Sequence, residues 1–133
     1  MVVHIAPIGK NVAHVKEWLR EVQPITKVWL IHSKKSDDYN FPKAAKDLAK
    51  KIQEDYAGVD VELQLNENPL NLDGTMDAID AIISKEQKEN DVEKYEFCIN
   101  VTGGTNVMSA AAILSATFNG TRAQYVLNRN MNP

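Results

Sequence analysis

Segments with the spacing of strands and segments with the spacing of helices take turns along this chain, and that alternation restricts its fold more than any other feature. Residues 1–6 (MVVHIA), 26–32 (TKVWLIH), 59–65 (VDVELQL), 95–101 (YEFCINV) and 122–127 (RAQYVL) read as five strands, being short and mostly rich in β-branched or aromatic side chains. Between them apolar residues recur at helical spacing. Val12, Val15, Trp18, Leu19 and Val22 share one face, with Asn11 expected as the cap and Pro24 as the stop. Ala44, Ala45, Leu48, Ala49 and Ile52 follow Pro42, which suits a first helical turn. Met76, Ile79, Ile82 and Ile83 form a third stripe behind Asp73, the expected cap, and residues 85–94 read as charged and solvated. A fourth helix is expected from about 105 to 118, ended by Gly120.

Strand–helix repetition of this kind builds a parallel sheet with helices on both faces, because crossovers are right-handed. The expectation is one domain over residues 1–133, an α/β Rossmann-like three-layer sandwich with a mainly parallel sheet of order 3-2-1-4-5. The third strand alternates apolar with polar residues and suits an edge, whereas the first and fourth read as buried on both faces.

In that topology ligands sit beyond the carboxyl ends of the strands where strand order reverses, here between the first and fourth strands. The loops leaving those strands are Pro7-Ile8-Gly9-Lys10-Asn11 and Thr102-Gly103-Gly104-Thr105-Asn106. Glycines let a backbone approach a ligand closely, and the amides at the start of the fourth helix are free donors reinforced by the helix dipole. Thr102 and Thr105 add hydroxyls, Asn106 an amide and Lys10 a positive charge. The chemistry suits an anion, most simply a phosphodiester. A purely conformational role for the glycine pair is the competing reading. Neither loop is a P-loop or a G-x-G-x-x-G fingerprint, which argues against ATP hydrolysis and NAD chemistry.

The fourth helix is apolar almost all round, from Val107 and Met108 to Ala116 and Phe118. One side should cover the sheet and a second surface the other, either a twofold mate or further C-terminal sequence. A net charge of −3 and a pI near 5.6 leave no basic surface for long nucleic acid. A single cysteine, Cys98, reads as a buried inert thiol, and with no membrane-length apolar run or leader peptide the expected compartment is the cytoplasm. His4, His14 and His32 read as packed or solvated residues, and no metal-ligand cluster or catalytic carboxylate pair is evident.

The run Asn100-Val101-Thr102-Gly103-Gly104-Thr105-Asn106 resembles the signature after the fourth strand of CARF domains, the CRISPR-associated Rossmann-fold sensors, which usually reads Asn-x-Thr-Gly-Gly-Thr-Lys. His4-Ile5-Ala6-Pro7-Ile8-Gly9 is similar to the opening of archaeal CARF proteins whose C-terminal half is a winged helix-turn-helix. The resemblance implies a homodimer binding a cyclic oligoadenylate, usually cyclic tetra-adenylate, in a groove across the twofold axis, with no cofactor. By position it implies that Pro7, Ile8, Gly9, Lys10, Asn11, Thr102, Gly103, Gly104, Thr105 and Asn106 line the groove, with Ser33 and Arg129 at the same sheet edge. Asn106 stands where the family usually has lysine, which removes charge-assisted strength. The resemblance also implies a C-terminal output domain, winged helix or nuclease, beyond this chain. The alternatives are a metal-independent ring nuclease, with Lys10 as its chief charge, and an interaction domain that binds no ligand.

Overall fold

The computed structural model describes residues 1–22 and 24–124. The elements run β1 (Val3–Pro7), α1 (Ala13–Glu21), β2 (Lys27–His32), α2 (Phe41–Asp55), β3 (Asp60–Leu65), α3 (Leu72–Asn90), a 3₁₀ turn (Lys94–Glu96), β4 (Phe97–Asn100), α4 (Asn106–Asn119) and β5 (Arg122–Gln124). All strand pairs are parallel, in the order β3-β2-β1-β4-β5 expected from the alternation.

The period-2 geometry of the central strands divides the core in two. Val3 and Ile5 of β1, Trp29 and Ile31 of β2 and Phe97 and Ile99 of β4 face Ile79, Ile82, Ala112 and Ala116 of α3 and α4. The intervening residues Ala6, Val28, Leu30 and Cys98 face Val15, Trp18, Leu19, Leu48 and Ile52 of α1 and α2. Three layers result, and both β1 and β4 are buried throughout, as expected.

Several local expectations are corrected. Val12, not Asn11, occupies the cap position of α1; Asn11 Oδ1 instead accepts from the Ala13 amide at 3.0 Å, a turn that precedes the helix. The α3 cap position is Asn71, and Asp73 lies in the first turn, where its charge opposes the dipole's positive end. Tyr95 and Glu96 belong to a 3₁₀ turn closed by a reciprocal Glu93–Glu96 capping box, so β4 starts only at Phe97. Residues 85–94 are not uniformly solvated. α3 continues to Asn90, and Glu86 is fully buried. Its carboxylate meets Lys27 Nζ at 2.6 Å, Trp29 Nε1 at 3.2 Å and Asn90 Nδ2 at 3.0 Å. An apolar stripe conveys nothing about a polar residue that finds partners on another strand.

Gly120 closes α4 in the left-handed conformation, as its sequence position suggests. The helix buries Met108, Ala111, Ala112, Ser115 and Ala116 and leaves Ile113, Leu114 and Phe118 exposed. No helix of the described residues is long and apolar enough to cross a membrane. Residues 125–127 of the expected fifth strand, and Arg129, lie outside the described residues.

Candidate functional site

The loops after β1 and β4 touch. β1 and β4 are hydrogen-bonded neighbours, pairing Ile5 with Ile99, so both chains leave the sheet at the same rim. A Cβ built on Gly9 would lie 3.3 Å from Gly104 Cα, a backbone-to-backbone approach that a larger residue would hold apart.

The second turn is held from inside. Asn100, the last residue of β4, is fully buried, and its Oδ1 accepts from the Thr102 amide at 2.8 Å. The chain then reverses through Gly103 and Gly104. Gly104 has φ +78°, the left-handed region that glycine occupies without cost, and a Cβ there would strike Met108. A Cβ on Gly103 would strike the His14 ring and the Pro7 carbonyl. Both glycines therefore have a conformational or packing reason; Gly103 is buried against His14 and Pro7, whereas Gly104 is exposed at the rim. Neither amide meets an acceptor among the described residues. Thr105 caps α4, its hydroxyl accepting from the Met108 amide at 3.3 Å, and Asn106 is the first helical residue. Ser109 Oγ donates to the Gly103 carbonyl at 3.3 Å, which pins that acceptor and fixes the peptide's orientation.

The first loop supplies the charge. Pro7 ends β1, and Ile8 is buried with its amide donating to the Ile31 carbonyl at 2.9 Å, so its side chain belongs to the core. Gly9, Lys10 and Asn11 follow at the rim. Lys10 is largely exposed; its Nζ lies 3.3 Å from Asp38 Oδ2 and 5.7 Å from the centre of the Tyr39 ring. Asp38 also accepts from Ser36 Oγ at 2.8 Å, and these partners hold its carboxyl below the usual range. Ser33 is buried just past β2, two residues beyond Ile31, which pairs with Pro7. The loop it opens carries Asp38 and Tyr39 to Lys10. Arg129 lies outside the described residues.

Two residues that sequence reasoning left outside the site belong to its frame. Asn100 was visible only as a motif letter, although Asn two positions before a Thr-Gly-Gly turn is the pattern of an Asx turn. His14, expected as a packed or solvated helical residue, has its Nδ1 3.4 Å from Asn100 Nδ2. Among the described residues no group of three His, Cys, Asp or Glu side chains could hold a metal. The arrangement is suited to holding an oxyanion with backbone amides, a helix terminus and one ammonium.

A family model described as HFX_2341_N:-like, N-terminal matches residues 2–129. No curated protein matches the chain. Among solved structures, Enterococcus italicus Csm6 bound to cyclic hexa-2'-fluoro-hexa-dAMP matches with TM-score 0.80 and 19% identity, over 99% of this chain and 35% of that one. Can2 from Sulfobacillus thermosulfidooxidans in complex with cyclic tetra-adenylate matches with TM-score 0.72 and 17% identity, over 94% of this chain and 32% of that one. The chain thus spans about a third of the length of each. At these identities the likeness establishes the fold.

Proposed function

We propose that this chain, which belongs to the HFX_2341_N:-like, N-terminal family and has a CARF-type fold, binds a cyclic oligoadenylate, most simply cyclic tetra-adenylate, as the cytoplasmic sensor domain of a larger CRISPR-linked regulator or effector. The observation that carries the reading is the junction of the two loops. Gly9 and Gly104 bring them to one rim, where the exposed Gly104, the α4 terminus and Lys10 all favour negative oxygens. Both solved structures above hold a cyclic oligonucleotide, which supports the ligand class.

The groove is completed by a second copy. α4 starts at the anion loop, and its outer face exposes Ile113, Leu114 and Phe118, the last at 73%. A mate packed there would set two copies of the loop about one axis, matching the symmetry of a tetranucleotide ring. A C-terminal output domain, outside this chain, would read the resulting change of pose.

Incubation with labelled cyclic tetra-adenylate, followed by measurement of retention and resolution of products, tests the reading. Retention of intact ligand at one ring per two chains is expected. Linear products formed without metal would make the domain a ring nuclease instead. Absence of retention for cyclic tri-, tetra- and hexa-adenylates would leave an interaction domain without ligand.

A further inference from the structure

We infer that His14 is the positioning residue that locks the two loops into one anion site, acting as a neutral strut between α1 and the turn after β4. The inference rests on the ligand reading above only for its effect on affinity. Its effect on the turn is independent of any ligand.

The geometry defines the strut. His14 is the second residue of α1, directly after the Pro7–Asn11 loop. Its ring crosses to the other loop and lies flush on Gly103. A Cβ on that glycine would come within 2.6 Å of His14 Nε2 and would also strike His14 Cε1 and the Pro7 carbonyl. β1, α1 and the Thr102–Gly104 turn therefore meet at a single imidazole. On its other side Nδ1 sits 3.4 Å from Asn100 Nδ2.

The protonation state follows from the neighbours. Asn100 Oδ1 is committed to the Thr102 amide at 2.8 Å, so the atom that Asn100 turns toward His14 is its NH₂ donor. His14 Nδ1 must accept, which places the single ring proton on Nε2. That Nε2 is buried without a partner among the described residues. Burial pushes the imidazole below its ordinary 6.5, and the Asn11 backbone carbonyl, an acceptor for the protonated ring, opposes that shift by a smaller amount. The groups facing the ring are Asn100 from β4, Gly103 from the turn, the Pro7 carbonyl from β1 and the Asn11 backbone, and no charged side chain contributes to the shift. Protonation of Nδ1 would set two donors against each other and release Asn100 from the ring. The Asx turn that holds the Thr102 amide and leads the chain into Gly103 would loosen with it.

A histidine that only fills space would be replaced by phenylalanine without consequence. The test compares wild type, His14→Phe and His14→Gln by amide hydrogen exchange in the ligand-free protein and by affinity for cyclic tetra-adenylate. His14→Phe should lower protection at Thr102 about tenfold, the scale of one lost hydrogen bond, and weaken ligand binding by a similar factor. The unfolding midpoint should stay near wild type. His14→Gln, which keeps an acceptor, should recover part of the protection. In wild type, protection at Thr102 should fall as pH drops through the His14 titration below 6.5, a step that His14→Phe lacks. Wild-type protection in His14→Phe, or absence of that step in wild type, overturns the inference. If His14→Phe does not fold, the wild-type step and His14→Gln decide. Failure of the wild type to bind any cyclic oligoadenylate would defeat the ligand reading while the exchange data still judge His14.

Discussion

Gly9 and Gly104, remote in sequence, stand backbone to backbone: a methyl on the first would lie 3.3 Å from the α-carbon of the second. That separation is tighter than ordinary van der Waals contact, so Gly9→Ala must push the loops apart by a few tenths of an ångström. No left-handed backbone angle is involved at Gly9, so the cost to folding is small. The expected result is a loss of about threefold to tenfold in affinity for cyclic tetra-adenylate, because misplaced donors lose alignment, with little change in urea midpoint. Gly9→Val should lose more. Calorimetric titration of both variants decides it; wild-type affinity in both would detach this contact from the site. Gly104 is a poorer probe, since any side chain there meets Met108 and a positive φ together.

Lys10 is engaged by Asp38 in the free protein, 3.3 Å away, in a pair that is exposed on both sides. Such a pair adds little to stability, but it would compete with a bound phosphate for the same ammonium. Asp38→Asn should therefore tighten binding by about twofold to fivefold at low ionic strength, with the gain fading as salt screens the site. Lys10→Ala should weaken binding by about tenfold or more, as loss of a charge-assisted contact does. Both variants should melt with the wild type. Opposite signs for the two substitutions are the diagnostic outcome.

Much of this architecture was legible in the chain. The switch from period 2 to period 3.6 and back gave the five strands, the order of the sheet, and hence the meeting of two remote loops. What stayed hidden was polar and long-range. Glu86 lies inside a run of Lys, Glu and Gln that resembles a solvated helix face, and its burial depends on Lys27 and Trp29 of a different element. His14 looked like one more helical residue, because its partner Asn100 belongs to a strand far along the chain. Periodicity reports which face a residue occupies, whereas hydrogen-bond partners across a sheet depend on register.

α4 tests the symmetric half of the proposed function. Phe118 and Ile113 are 73% and 50% exposed in a single chain, on the helix that follows the Thr102–Thr105 turn. Phe118→Glu places a charge in any interface built on that face without touching the core. The variant is expected to elute as a monomer where the wild type elutes as a dimer, and to lose affinity for the ring by about tenfold or more as half of its contacts disappear. Its midpoint at low protein concentration should match wild type. A wild-type protein that is monomeric at all concentrations would remove the twofold groove.

The Lys27–Glu86 pair sits at the opposite end of the sheet from the loops after β1 and β4. Both side chains are nearly inaccessible and 2.6 Å apart, with Glu62 3.0 Å from the same ammonium. Burial alone would raise the Glu86 pKa, but hydrogen bonds from Lys27, Asn90 and Trp29 outweigh it and hold the carboxyl below its ordinary 4.5. Glu86→Ala leaves Lys27 poorly compensated and should cost about 3–5 kcal/mol, read as a lower urea midpoint. Ligand affinity per folded molecule should be unchanged, which separates this cluster from the site.

His4 gives the fold its acid limit above the carboxylate range. The ring is buried in β1, edge-on to Trp18 at 5.1 Å, with Nε2 3.1 Å from the Val22 carbonyl and Nδ1 without a partner among the described residues. Burial, assisted by the charge of Arg122 and opposed by the Val22 hydrogen bond, lowers its pKa from 6.5 to about 4. The unfolded chain therefore binds the proton more readily than the folded one. The neutral ring's contribution is complete above 6.5 and drains away as pH falls toward 4, by roughly 3 kcal/mol in all. Glu86 acts in the same direction but only below its ordinary 4.5, so the interval from 6.5 down to 4.5 belongs chiefly to the buried histidines. His4→Phe keeps an aromatic edge against Trp18 and cannot titrate. Urea unfolding of both proteins across that interval should show a steep loss for wild type and a much shallower one for His4→Phe, the remainder reflecting His14. Parallel curves would mean that His4 keeps its ordinary affinity for protons in the folded state.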